Sequence, residues 1–141
     1  MIADLENLGG LGSDNKNLDN PSLPESVLQN VLTQIEAARP CVVTDASGRI
    51  LEINPAFSGL CGFSFSEIVG RTPGSFLQGK DTEEASVEVL RWAIREGAAC
   101  EVEIYNYHKD GTRYRVRIQV VPLRDASGHL TGFRATETKL R

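Results

Sequence analysis

Residues 100–107 and 113–120 constrain this chain more than any other part of it. In the first run Cys100, Val102, Ile104 and Asn106 alternate with Glu101, Glu103, Tyr105 and Tyr107. In the second, Tyr114, Val116, Ile118 and Val120 alternate with Arg113, Arg115, Arg117 and Gln119. A period of two places each set on its own face of a strand, and the apolar sets belong to the core. Lys109-Asp110-Gly111 between them is a hairpin turn, so the two strands pair antiparallel. Acids on one outer face then meet arginines on the next, which suits cross-strand neighbours, although exposed ion pairs contribute little. Asn106 is the one amide in an inward set. A buried amide needs a side chain, a water or a ligand as partner.

The other elements follow from similar patterns. Cys41-Val42-Val43-Thr44 and Arg49-Ile50-Leu51-Glu52-Ile53 read as strands joined by the turn Asp45-Ala46-Ser47-Gly48. Asp125-Ala126-Ser127-Gly128 is a third turn, followed by a strand from Leu130 to about Thr138. Asn54-Pro55 opens a short helix with Asn54 as its cap, and Gly62 ends it. Ser64–Val69 is a second helical piece stopped by Gly70. Asp81-Thr82-Glu83-Glu84 has the form of a capping box for a longer helix over 81–96, with Val87, Leu90, Ala93 and Ile94 at helical spacing. Between these helices lies Gly70-Arg71-Thr72-Pro73-Gly74-Ser75-Phe76-Leu77-Gln78-Gly79, too rich in Gly and Pro for a regular helix and suited to a pocket wall.

Ahead of this body, Ser22-Leu23-Pro24-Glu25 signals a helix start, and Val27, Leu28, Val31, Leu32 and Ile35 form one apolar stripe ending near Arg39-Pro40. That flanking helix, 25–39, buries its stripe against the domain's own sheet or against a second copy. Residues 1–24 hold Gly, Asn, Asp and Ser with little to bury and read as a disordered tail. Three hairpin turns and one long helix give an α+β domain over 40–138: a five-stranded antiparallel sheet with helices on one face.

With 141 residues there is room for one domain with a core. A net charge of −4 argues against nucleic-acid binding, and four acids against one base in residues 1–24 account for −3 of it. No run reaches the length of a membrane span, and the chain reads as cytoplasmic. Cys41, Cys61 and Cys100 are far apart, in apolar surroundings and without metal-like spacing, so they read as small core residues. No nucleophile–base pair, metal cluster or phosphate loop is visible, and Asp45, Asp110 and Asp125 serve turns. The chain is expected not to be an enzyme.

Asn54-Pro55-Ala56-Phe57, Gly62-Phe63, Glu67-Ile68-Val69-Gly70-Arg71, Phe76-Leu77-Gln78-Gly79 and Asn106-Tyr107-His108-Lys109-Asp110-Gly111-Thr112 together resemble a PAS domain over about residues 38–138. Within that family the sequence is similar to the light-oxygen-voltage (LOV) branch and its non-photoactive relatives. That branch binds a flavin and forms a photo-adduct through one cysteine, in the signature Gly-Arg-Asn-Cys-Arg-Phe-Leu-Gln-Gly. Here the stretch is one residue longer. Counting back from Phe76, Ser75 takes the place of the second Arg, Gly74 that of the Cys and Pro73 that of the Asn.

The resemblance implies further site positions. Gln78 matches a ring-contacting residue, Arg91 a phosphate-binding arginine, and Asn106 the first of two ring-binding asparagines. Val116 stands at the second, and Glu137 takes the place of a last-strand glutamine. Among these, Glu137 would face inward with Phe133 and Ala135, unless the strand frays and leaves it solvated, which is the reading taken here. Arg91 reads first as a plain surface residue. Haem is disfavoured, because the long helix carries no histidine and His108 and His129 sit at turns.

The function this implies is a PAS-type sensory or interaction module. It would dimerise through residues 25–38 and the outer sheet face around Tyr105 and Tyr107, and relay a signal to a partner protein or effector. The alternative is a flavin-binding redox or light sensor without cysteinyl chemistry. The cofactor is left open between none and a flavin (FMN or FAD).

Overall fold

A computed structural model describes residues 23–141. The expected tail, apart from its last two residues, and the expected cap at Ser22 lie outside them. The first helix, α1 (Glu25–Ala38), lies up to Glu36 in a first unit, and its last two residues belong to the compact unit Ala37–Arg141. Val27, Leu28, Val31 and Leu32 on α1 are exposed.

The second unit is built on five strands: β1 (Cys41–Asp45), β2 (Ile50–Ile53), β3 (Cys100–Tyr107), β4 (Arg113–Arg124) and β5 (Leu130–Lys139). Between β2 and β3 run α2 (Pro55–Cys61), α3 (Phe65–Ile68), α4 (Gly74–Leu77) and α5 (Glu84–Glu96). The sheet order is β2-β1-β5-β4-β3 with every described pairing antiparallel. The last strand in the chain is therefore the middle of the sheet. It pairs with β1 from Cys41↔Thr136 to Asp45↔Gly132 and with β4 from Val116↔Lys139 to Arg124↔Leu130.

The β3–β4 register pairs Glu103 with Arg117 and Glu101 with Gln119, as their alternation predicts. Val102, Ile104, Val116, Ile118 and Val120 are buried with Phe133 in one core cluster; Val42, Ile50, Phe57, Cys61, Ile68 and Leu77 make a second under β1 and β2. Half-buried Ala135 of β5 packs against both.

Two local expectations are corrected. Asp81 does not cap a helix. Its carboxylate is held by Arg113 at 2.9 Å, Thr82 donates to Tyr105 O at 2.7 Å, and α5 starts three residues later at Glu84. Glu83 accepts from Tyr105 N–H at 2.9 Å and pairs with Arg115. Side chains of 81–86 thus cover the free edge of β3, and edge protection has displaced helix capping. A capping box does form two helices earlier, at α3, where Ser64 N–H donates to Glu67 Oε1 at 2.8 Å. The stretch 70–79, expected to be irregular, contains the single turn α4.

Asn54 is a cap as predicted, and it does more. Its Oδ1 accepts from Phe57 N–H at 2.9 Å and from Cys41 N–H at 3.0 Å, while its amide donates to Arg39 O at 2.6 Å. One side chain thereby ties the start of α2 to the start of β1. Asn54→Ala should lower stability by about 1–2 kcal/mol, since a cap and a strand-start acceptor are lost together, and urea unfolding at neutral pH measures it.

Candidate functional site

The inner face of the sheet and α5 do not meet in a filled core. Between them lies a cavity of about 550 Å³, inside the roughly 300–1,000 Å³ span of small-molecule sites. The α5 wall is a single helical stripe, Val87, Leu90, Arg91, Ile94 and Arg95, at offsets of three, four, seven and eight residues. The sheet wall comes from alternate residues of four strands, among them Val42, Ile104, Ile118 and Phe133. α4 and the residues before it close one side through Thr72, Pro73, Gly74, Leu77 and Gln78.

Polar groups are few on these walls. Asn106 is 3% exposed on β3, as its place in the inward set requires. Glu137 is 3% exposed on β5, and its Oε1 has no hydrogen-bond partner. The reading of Glu137 as a solvated residue in a fraying strand is corrected. β5 continues to Lys139, and Glu137 N–H donates to Pro40 O at 2.9 Å, so the strand is paired past this residue. Burial pushes the Glu137 carboxyl up to about 7. Burial, and then the nearby Glu137, pushes the Tyr114 phenol far above its ordinary value, with the Asn106 side chain beside it drawing it part of the way back.

Five of the seven expected site residues line the cavity: Gly74, Gln78, Arg91, Asn106 and Glu137. Two do not, and they are corrections. Ser75 is exposed, with its hydroxyl turned back to Thr72 O at 2.7 Å, because the α4 turn points it outward. Val116 is buried in the apolar cluster and does not reach the cavity. Arg91 stands at the rim, bound to Glu84 at 3.2 Å and Glu88 at 3.0 Å, so it is both a surface residue and a cavity residue. Arg95, one turn further along, and Thr44 of β1 were missed. The helical offset from Arg91 and the alternation Val42–Thr44 were the available signals.

Gly74 has a steric role of its own. A Cβ built there would lie 2.8 Å from Gln78 Nε2, so the Gln78 amide occupies the space a side chain at 74 would need. Cys61 is buried and Cys41 and Cys100 are half-buried; burial raises all three thiols, and none lines the cavity. On the outer face, Tyr105 lies under the guanidinium groups of Arg113 at 4.2 Å and Arg115 at 4.7 Å. The Tyr107 hydroxyl accepts from Asp81 N–H at 2.9 Å. Among the described residues, no group of three His, Cys, Asp or Glu side chains is placed to hold a metal, and no helix is long and apolar enough to cross a membrane.

A family model for the PAS domain matches residues 39–138. The chain belongs to the PAS family. Over 137 residues this chain is 32% identical to Phototropin-2 of Oryza sativa subsp. japonica, an alignment that covers 89% of the chain and 15% of that protein. It is 33% identical over 92 residues to a blue-light photoreceptor of Listeria monocytogenes, covering 63% of the chain and 36% of that protein. The chain therefore spans well under half the length of either. A LOV domain structure from work on a flavin analogue superposes with a TM-score of 0.71 at 28% identity, covering 82% of this chain and 85% of that one.

The Glu137 carboxyl makes stability depend on pH. Its native value of about 7 lies above the ordinary 4.5, so the folded state binds a proton the unfolded state has lost. The resulting stabilisation is full below the unfolded value and disappears as pH rises through about 7. Unfolding free energy should fall by about 2 kcal/mol between pH 5.5 and pH 8, and Glu137→Gln should flatten this slope in urea titrations at the two pH values.

Proposed function

We propose that this PAS domain is a non-enzymatic sensory module whose cavity holds a flavin without a covalent bond to the protein. The observation that carries this reading is the cavity itself. It has apolar walls, two amides and one neutral-prone carboxyl facing inward, and two arginines at the rim. That donor set fits a flat heteroaromatic ring with a polar edge and a charged tail. Asn106, Gln78 and Glu137 would meet the ring edge; Arg91 and Arg95 would meet the tail. A bound flavin supplies blue-light absorption and redox activity. The chain's own residues exclude water, orient the ring and set its hydrogen bonds.

Cysteinyl adduct chemistry is outside this reading. Gly74 stands where the LOV signature has its cysteine, the Gln78 amide fills the space beside it, and no thiol lines the cavity. Protein reconstituted with FMN should therefore be yellow and should keep its flavin absorption under blue light. A colourless protein after FMN addition would remove the flavin reading, and reversible bleaching with dark recovery would reinstate an adduct. Asn106→Leu should weaken FMN binding by roughly 10–100-fold, the equivalent of about 1–3 kcal/mol for an amide contact left unmade in a dry site.

The output would be carried by α1. Glu137 lies on the cavity wall, and its N–H donates to Pro40 O, two residues beyond the end of α1. A change in the cavity that shifts β5 would therefore act on the chain where the helix ends. The exposed stripe Val27, Leu28, Val31 and Leu32 would pair with the same helix of a second copy, joined by the outer sheet face around Tyr105 and Tyr107, and the dimer would relay the signal to a partner protein. Val31→Glu should turn a dimer into a monomer in sedimentation velocity, while a wild type that sediments as a monomer at all concentrations would exclude this arrangement.

A further inference from the structure

Glu137 is hard to account for as packing. It is a carboxyl at 3% exposure in the middle strand of the sheet, and Oε1 is without a partner. A buried polar atom left unpaired costs free energy that a glutamine or leucine would avoid in part. The titratable groups close enough to act on it are the thiols of Cys41 on β1 and Cys61 on α2 and the phenol of Tyr114 on β4. None of these is a cation, so nothing among them favours a carboxylate over the neutral acid. The other polar side chains lining the cavity are the hydroxyls of Thr44, Ser47 and Thr72 and the amides of Asn106 and Gln78, all able to donate and accept, and on the exposed face of α5 Arg91, paired with Glu84 and Glu88, and Arg95, paired with Glu96.

We infer that Glu137 is a proton-gated recognition group: as the neutral acid it donates from its unpartnered oxygen to an acceptor of the cavity ligand, and its ionisation ejects that ligand. The inference rests on the cavity being a flavin site. It adds the class of contact and its control: a heteroaromatic carbonyl or ring nitrogen is taken up only while the acid keeps its proton. A neutral carboxyl has one donor and spare acceptors; a carboxylate is an acceptor only and faces the same ligand atom with repulsion. Since burial already pushes the group up to about 7, the switch lies near neutral pH. Binding that requires the protonated form weakens tenfold for each pH unit above that value, because the competent fraction falls tenfold.

The test is riboflavin binding, followed by fluorescence quenching, by the full chain and by Glu137→Gln between pH 6 and pH 8.5. Riboflavin is used because it has no phosphate to titrate in this range. The wild-type Kd should be level below about pH 7 and rise close to tenfold per unit above it, while Glu137→Gln, neutral throughout, should show a level Kd. A level wild-type profile, or a slope that survives in Glu137→Gln, overturns the inference and leaves the flavin site standing. No binding by either protein at any pH overturns the flavin site and the inference together. Infrared spectra of the ligand-free protein add an independent readout. A protonated-carboxyl band lost in Glu137→Gln and persisting to near neutral pH supports the inference, and a band that vanishes in the ordinary carboxylate range overturns it.

Discussion

The pairing of β5 with both β1 and β4 is the contact on which the rest of the domain depends. β5 follows the other strands in the chain yet sits in the middle, so within the sheet the two hairpins, β1–β2 and β3–β4, are joined through it. The two core clusters meet at its Ala135. A strand in that position must be buried on its inner face and must approach its neighbours closely. Gly132 shows how closely: a Cβ there would lie 1.9 Å from Thr44 O. Joining segments nearly a hundred residues apart is a long-range step, the kind that slows folding relative to local hairpins.

That central position is what makes Glu137 consequential. On an edge strand a carboxylate could turn to water. Here the backbone is hydrogen-bonded to Pro40 on one side, Ile118 is its register partner on the other, and the side chain has only the cavity to face. A cavity of this size removes packing contacts on both walls, and a buried acid adds its own desolvation cost. Domains tolerate such losses where the site has a use, and the two lie together here on one strand.

Much of the fold was legible because its signals are local. The alternation of 100–107 and 113–120 set the faces and the hairpin of β3 and β4, and Asn54-Pro55 marked the start of α2. What misled was competition between partners that only the fold brings together. Asp81 and Glu83 had the composition of a helix cap, but Arg113 and Arg115, more than thirty residues away in sequence, took both side chains. The same limit applied to the site. Asn106 could be placed on an inward face by counting, whereas the fate of Glu137 depended on whether the last strand frays, and that is decided by partners in β1 and β4. Val116 and Asn106 share the inward side, yet only Asn106 reaches the cavity; periodicity assigns a face and says nothing of which part of that face stays unfilled.

The arrangement at α4 ties the shape of the cavity to its chemistry. Gly74 leaves room for the Gln78 amide, and Gln78 in turn lines the wall near the inward face of the sheet. With glycine at 74, no neighbouring side chain pushes the Gln78 amide aside, and it rests in the space a Cβ there would take. Asn106 adds a second amide and Glu137, when protonated, a carboxyl that can also both donate and accept. Of Gln78, Asn106 and Glu137, Glu137 alone can change its charge near neutral pH.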